Sequence, residues 1–186
     1  MKTTIKTVLV VTLLVGVFWG LGFQREPERG AQIANHDGVP IYYHRGPDVR
    51  GEYGLEYECV EFVNRWLVRH RHKNLNRTGD AMAYFTDART KGLTSYVNGG
   101  TEPPKWGDVI VFSSSQQSFG HVGIVVQVDK TRVWVAQQNA TIKLGIFVRP
   151  MPYRWFPMSN RDGRWTVYNS WPLSCLGWSR PFKPAP

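Results

Sequence analysis

Two residues of this 186-residue chain stand where nucleophilic chemistry could be done, Cys59 and His121. Cys59 opens a helical pattern. Cys59, Val60, Val63, Trp66 and Leu67 recur at the spacing of one helix face, while Glu61, Asn64 and Arg65 fall largely between them. The periodicity predicts a helix from Glu58 to about Arg71, with Glu58 and Glu61 in its first turn and Arg69 to Lys73 at its end, as the helix dipole prefers. At such an N-terminus the dipole and the free backbone amides favour a thiolate, and the same amides can hold an oxyanion. A buried structural cysteine explains the position alone equally well.

The setting of His121 is more telling. If Val128 and Arg132 close a three-residue hairpin loop, His121 faces Asn139 and Gly123 faces Gln137. The even-numbered face of that hairpin (Val122, Ile124, Val126 and Val128 against Ala136 and Trp134) reads as core. The odd-numbered face gathers His121, Gln137 and Asn139, with Gly123 leaving them room. A structural histidine does not explain two carboxamides beside it. A thiol nucleophile, an imidazole base and a polar group to orient the imidazole make up the apparatus of acyl transfer to cysteine.

The elements that must position these residues follow from texture. Asp37 to Tyr43 reads as a turn and a short extended segment, and Gly79 to Lys91 as a second helix. After Pro103-Pro104 the chain turns to strands: Trp106 to Phe112, His121 to Val128, Arg132 to Asn139, Ile146 to Val148 and Trp165 to Tyr168. Ser113 to Gly120 is a polar loop. Helix first and sheet second reads as α+β.

Lys2 and Lys6 precede an apolar run, Val8 to Phe23, broken only by Thr12 and three glycines. This is the pattern of an export signal. With no Ala-x-Ala site after it, an uncleaved membrane anchor is favoured over a cleaved signal, and either places the remainder outside the cytoplasm. The formal charge of +9 suits anionic partners such as wall polymers or lipid headgroups, and a solvated basic surface is the plainer reading. Nucleic-acid signatures are missing from the sequence. His70 and His72 alternate on a helix and point to different faces, so they do not suggest a metal. Asn76 to Thr78 and Asn139 to Thr141 match the glycosylation sequon, a frequent chance match. Tyr153, Trp155, Phe156, Trp165, Tyr168 and Trp171 crowd the C-terminal third, as core or as an aromatic wall near the cleft. The cysteines number two, and a disulfide between Cys59 and Cys175 would mask the nucleophile.

The stretch Tyr57-Glu58-Cys59-Val60-Glu61-Phe62-Val63-Asn64-Arg65-Trp66 resembles the nucleophile helix of the CHAP family, the cysteine, histidine-dependent amidohydrolases/peptidases. Trp106-Gly107-Asp108-Val109-Ile110, Gly120-His121-Val122-Gly123-Ile124-Val125 and Ala136-Gln137-Gln138-Asn139 continue the likeness. Within the family, Gly38-Val39-Pro40-Ile41-Tyr42 and Leu176-Gly177-Trp178 are similar to the amidase domain of glutathionylspermidine synthetase. The resemblance implies a papain-like α+β fold, its N-terminal helix bearing the nucleophile and packing on an antiparallel sheet. It implies Cys59 as nucleophile, His121 as general base and the Cys59 amide in the oxyanion hole. Gln137 stands where the family commonly has an acid, and Asn139 is the other residue that could orient the imidazole. Glu58 stands where a glutamine is common.

The expectation is therefore a signal or anchor over 1–23, a tether over 24–35, an amidohydrolase domain over 36–180 and a disordered tail over 181–186. It is a monomer that needs no cofactor or metal and acts on an amide or peptide, foremost in peptidoglycan, with the membrane as partner through the N-terminal segment. A glutathionylspermidine-type amidase and a weakly catalytic wall-binding module are the competing readings.

Overall fold

A computed structural model describes residues 20, 22–70, 76–168 and 172–182. The apolar run as far as Trp19, with His72, Trp171 and residues 183–186, lies outside them.

The chain opens with five short strands: β1 (Gln24–Arg25), the hairpin β2 (Gln32–His36) and β3 (Val39–Tyr42), and the pair β4 (Arg50–Gly51) and β5 (Gly54–Leu55). Helix α1 (Cys59–His70) follows, then the short α2 (Ala83–Thr86), a 3₁₀ turn over Ala88–Lys91 and strand β6 (Leu93–Val97). Beyond these come β7 (Val109–Ser114), β8 (His121–Val128), β9 (Arg132–Gln137), β10 (Thr141–Leu144), β11 (Phe147–Pro150), β12 (Tyr153–Arg161), β13 (Arg164–Val167) and β14 (Leu173–Pro181). Seven of them form one antiparallel sheet in the order β13-β12-β9-β8-β7-β14-β6. The balance is more sheet-dominated than an even α+β reading implies.

The segment expected as one helix over 79–91 breaks at Asp87. Asp80 Oδ1 accepts the Ala83 N–H at 3.1 Å and starts α2 late, Asp87 leaves helical geometry at φ −115°, and Gly92 ends the 3₁₀ turn at φ 71°. Strand β14 escapes a reading that looks for Val, Ile and Trp, because it is made of Leu-Ser-Cys-Leu-Gly-Trp-Ser-Arg-Pro. It nonetheless lies between β7 and β6, with an irregular register between Cys175 and Gly177. Gly177 is required there: its φ is 149°, and a Cβ would sit 2.1 Å from the Tyr96 carbonyl oxygen.

The sheet separates two apolar clusters. One joins α1 (Cys59, Phe62, Val63, Trp66, Leu67) to Val109, Val111, Val122, Ile124 and Ala136. The other is built wholly from strand residues, among them Phe112, Val125, Val135, Phe156, Cys175 and Trp178, so the sheet curls over its own second face. Cys59 and Cys175 thus belong to different clusters and are both free thiols, which removes the disulfide reading.

Candidate active site

Helix α1 crosses β8 and sets Cys59 at its first turn, 7% exposed. The backbone N–H groups of Val122, Val60 and Cys59 itself point at the sulfur. Cys59 therefore lies against the residue that follows His121, in a nest of amides from the helix start and β8. Burial pushes the thiol up to about 12, Glu58 adds to that rise, and the three amides oppose it. The balance of these effects favours the thiol over the thiolate.

His121, partly buried, begins β8 and pairs with Phe112 of β7. Its Nε2 lies 2.9 Å from Gln137 Oε1, while Gln137 Nε2 donates to the Met151 carbonyl at 3.0 Å. The second bond fixes which end of the amide faces the imidazole. Because Oε1 can only accept, Nε2 of His121 carries the hydrogen and Nδ1 keeps the lone pair. Burial holds the imidazole below its ordinary pKa; the bond to Gln137 works the other way, and Arg154 depresses it further. A neutral imidazole with a free Nδ1 is a base.

The expected pairing of Gly123 with Gln137 and of Ile124 with Ala136 is present, although the loop is not the one assumed. Val128 pairs with Val133 and the Asp129 N–H donates to the Arg132 carbonyl; a bulge between Val125 and Gln127 then restores the register before the site. Val128 consequently changes faces and packs in the strand-only cluster. At Gly123 a Cβ would meet Val135 Cγ1 at 2.4 Å and the Ala136 carbonyl oxygen at 2.7 Å, so only glycine permits this approach of β8 to β9.

Asn139 does not face His121 across the hairpin. Strand β9 ends at Gln137, Asn139 takes a left-handed φ of 55°, and its Nδ2 donates to both Glu58 carboxylate oxygens at 2.9 Å. Of the two carboxamides, Gln137 holds the imidazole and Asn139 holds Glu58, the residue before Cys59. His44 Nε2 approaches the same carboxylate at 3.5 Å and Asp48 at 3.4 Å. These three side chains are the one group among the described residues whose potential metal-ligating atoms lie within 4.8 Å of one another. Glu58 there already accepts two hydrogen bonds from Asn139.

Sequence periodicity missed the supports of the helix start. Glu61, Asn64 and Arg65 were expected between the core positions, yet Glu61 and Asn64 are buried. Asn64 donates to the Tyr53 carbonyl at 2.7 Å and accepts from the Tyr84 hydroxyl. Buried Gln138 donates to the Glu58 carbonyl at 3.0 Å and to Glu61 Oε2 at 2.8 Å, and accepts from the Tyr42 amide and Arg65. It therefore ties the end of β9 to the turn that carries Cys59. The signal available in sequence was its place beside Gln137, since neighbours on a strand face opposite sides. Asp108, 1% exposed, is a second hidden anchor: Arg180 grips it bidentately at 2.8 and 2.9 Å, and the Lys105 N–H donates to it at 2.8 Å.

Comparison with known proteins agrees with the geometry. The CHAP domain family model matches residues 49–139, which run from just before β4 to Asn139. A trypanothione synthetase from Crithidia fasciculata is 28% identical over 123 residues, covering 61% of this chain. The match spans 18% of that relative's length.

Proposed function

We propose that the chain, whose residues 49–139 match the CHAP domain family model, is a cysteine amidohydrolase of papain-like fold, with Cys59 as nucleophile and His121 Nδ1 as the base. The observation that carries this is the His121–Gln137–Met151 chain of hydrogen bonds, which leaves Nδ1 unprotonated beside the strand that cradles the sulfur. In the reaction Sγ bonds to the substrate carbonyl carbon while its proton passes to Nδ1. The oxygen becomes an oxyanion facing the Cys59 and Val60 amides. On collapse the C–N bond breaks and Nδ1–H protonates the leaving amine. Water then attacks the thioester with Nδ1 again as base, releasing the acid and the thiol.

For the substrate we propose an amide in peptidoglycan peptides, because Lys2, Lys6 and the apolar run to Phe23 read as an export signal or anchor. The similarity to a trypanothione synthetase favours a second reading, an amidase of glutathione–polyamine conjugates. Purified protein incubated with sacculi, and separately with a glutathione–spermidine amide, decides between them by the products released. Cys59→Ala and His121→Ala abolish cleavage in either case, and a Cys59 thioester is trapped by acid quench and seen by mass. Cleavage of neither substrate, or cleavage untouched by Cys59→Ala, refutes the enzyme and leaves a wall-binding module.

A further inference from the structure

Strands β1, β11 and β10 form a small sheet apart from the main one, and one of its faces is apolar and open. On β10, Ile142 and Leu144 share that face and are 43% and 52% exposed. Their partners across the register are Arg149 and Phe147 of β11, and Arg25 of β1 lies beside Phe147. Ile146, at the hairpin tip, is 70% exposed. On the opposite face Val148 is 1% exposed and Lys143 pairs with Glu26 at 3.3 Å, so that side is buried at its centre and charged at its edge. Three exposed aliphatic side chains flanked by two exposed arginines are an unusual surface for water alone.

The chain's own connectivity says what covers this face. The apolar run Val8–Phe23 stops one residue before β1 begins. A Cβ placed on Gly22 would lie 3.7 Å from Arg149 Nε, so Gly22, next to Phe23 at the end of the run, sits beside the arginine of this face. Arg25, paired with Phe147, is two residues from Phe23, a reach of about 7 Å for extended chain. An apolar segment inserted in a bilayer therefore holds the sheet at the headgroups, where aliphatic side chains enter the acyl boundary and arginines meet anionic lipid.

We propose that the β1–β11–β10 face is a membrane-docking surface for an anionic bilayer, with Ile142, Leu144 and Ile146 as its apolar contacts and Arg25 and Arg149 as its headgroup contacts. The inference rests on reading Val8–Phe23 as membrane-inserted and is independent of the amidase chemistry. Docking at this edge fixes the orientation of the catalytic domain to the membrane, which a flexible tether would not.

The test uses the full chain carrying Cys59→Ala and Ile146→Cys, labelled at position 146 with an environment-sensitive dye and reconstituted into phosphatidylcholine–phosphatidylglycerol vesicles. Cys175 is buried and escapes the label. The expected result is a blue-shifted dye, quenched by a nitroxide on the lipid headgroup. A dye at Lys130→Cys, in the exposed β8–β9 turn, is neither shifted nor quenched. Ile142→Asp with Leu144→Asp loses the quenching while the protein still floats with the vesicles. Protein that floats but keeps a water-like, unquenched dye at 146 overturns the docking and spares the anchor. A blue shift without quenching means another protein copy covers the face, and also overturns it. Failure to float removes the anchor and the docking together, whereas amide cleavage by detergent-purified protein tests the hydrolase separately.

Discussion

Gln137→Glu tests the tautomer argument with its sign exposed. The side chain is isosteric, so a carboxylate oxygen takes the place of Oε1, 2.9 Å from His121 Nε2. A charge pair about 4 Å apart at an effective dielectric near 20 interacts by roughly 4 kcal/mol. Two costs oppose that gain. Gln137 is 1% exposed, so the carboxylate is desolvated, and the hydrogen bond to the Met151 carbonyl is exchanged for a repulsion between oxygens. We expect about 1–2 pKa units of rise to survive at His121, or roughly 1.4–2.7 kcal/mol. Gln137→Met, which removes the acceptor that raises this pKa, moves it the other way. The assay is the imidazole Cε1–H titration followed by NMR, with the signal assigned by its loss in His121→Asn, so no substrate is needed. In the proposed mechanism the neutral imidazole is the active form, so the acid limb of the turnover pH profile should move by the same amount. A folded Gln137→Glu protein whose His121 titrates unchanged or lower refutes the reasoning. So does an Asn139→Ala variant that moves the titration more than either Gln137 change.

Other consequences follow from the same contacts. Asp108→Ala removes the buried carboxylate that accepts from Arg180 and the Lys105 amide, and should lower stability by about 3 kcal/mol in urea unfolding; a change within experimental error contradicts the anchoring role. Gly123→Ala drives a methyl into Val135 and should cost about 1–3 kcal/mol while shifting the His121 NMR signal through Gln137. Burial lowers the pKa of His121 and of His36 in the folded state. Below about pH 6.5 the unfolded chain therefore binds more protons, and stability is lost as pH falls from there through the folded values. Urea midpoints compared at pH 7.5 and 5.5 should show a decline, and a flat profile argues against neutral buried imidazoles.

Much of this arrangement is legible in sequence because it rests on period. Cys59 to Leu67 repeat with helical spacing, and α1 forms there; Val122 and Ile124 alternate, and β8 buries them under α1. What period does not carry is the identity of hydrogen-bond partners. Gln137 and Asn139 are two residues apart and would share a face on a continuing strand, yet a left-handed Asn139 redirects one of them to Glu58. Glu61 and Asn64 look like solvent positions until Gln138, Tyr53 and Tyr84 arrive from distant segments to satisfy them. Strand β14 is specified by its neighbours β7 and β6 more than by its own composition, which is why Ser174, Gly177 and Ser179 gave no strand signal.

The electrostatics of Cys59 point to how the reaction must begin. A preformed thiolate–imidazolium pair requires a thiol pushed up to about 12 to give its proton to an imidazole held below its ordinary value. Both shifts oppose that transfer, so in the proposed mechanism the neutral pair is the resting state and the sulfur gives up its proton as the bond to the carbonyl carbon forms. Iodoacetamide measures this directly, since only thiolate reacts. At pH 7.5 Cys59 should be alkylated on the order of a thousandfold more slowly than a free cysteine of pKa about 8.5, with the rate still rising into strongly alkaline solution. Glu58→Gln removes the neighbouring carboxylate that contributes to the rise, and should speed alkylation about threefold. Rapid labelling of Cys59 at neutral pH, lost on protonating a group that disappears with His121→Ala, would instead establish a standing ion pair. The burial of the thiol in the closed site would then be less than its contacts with Val122 and α1 imply.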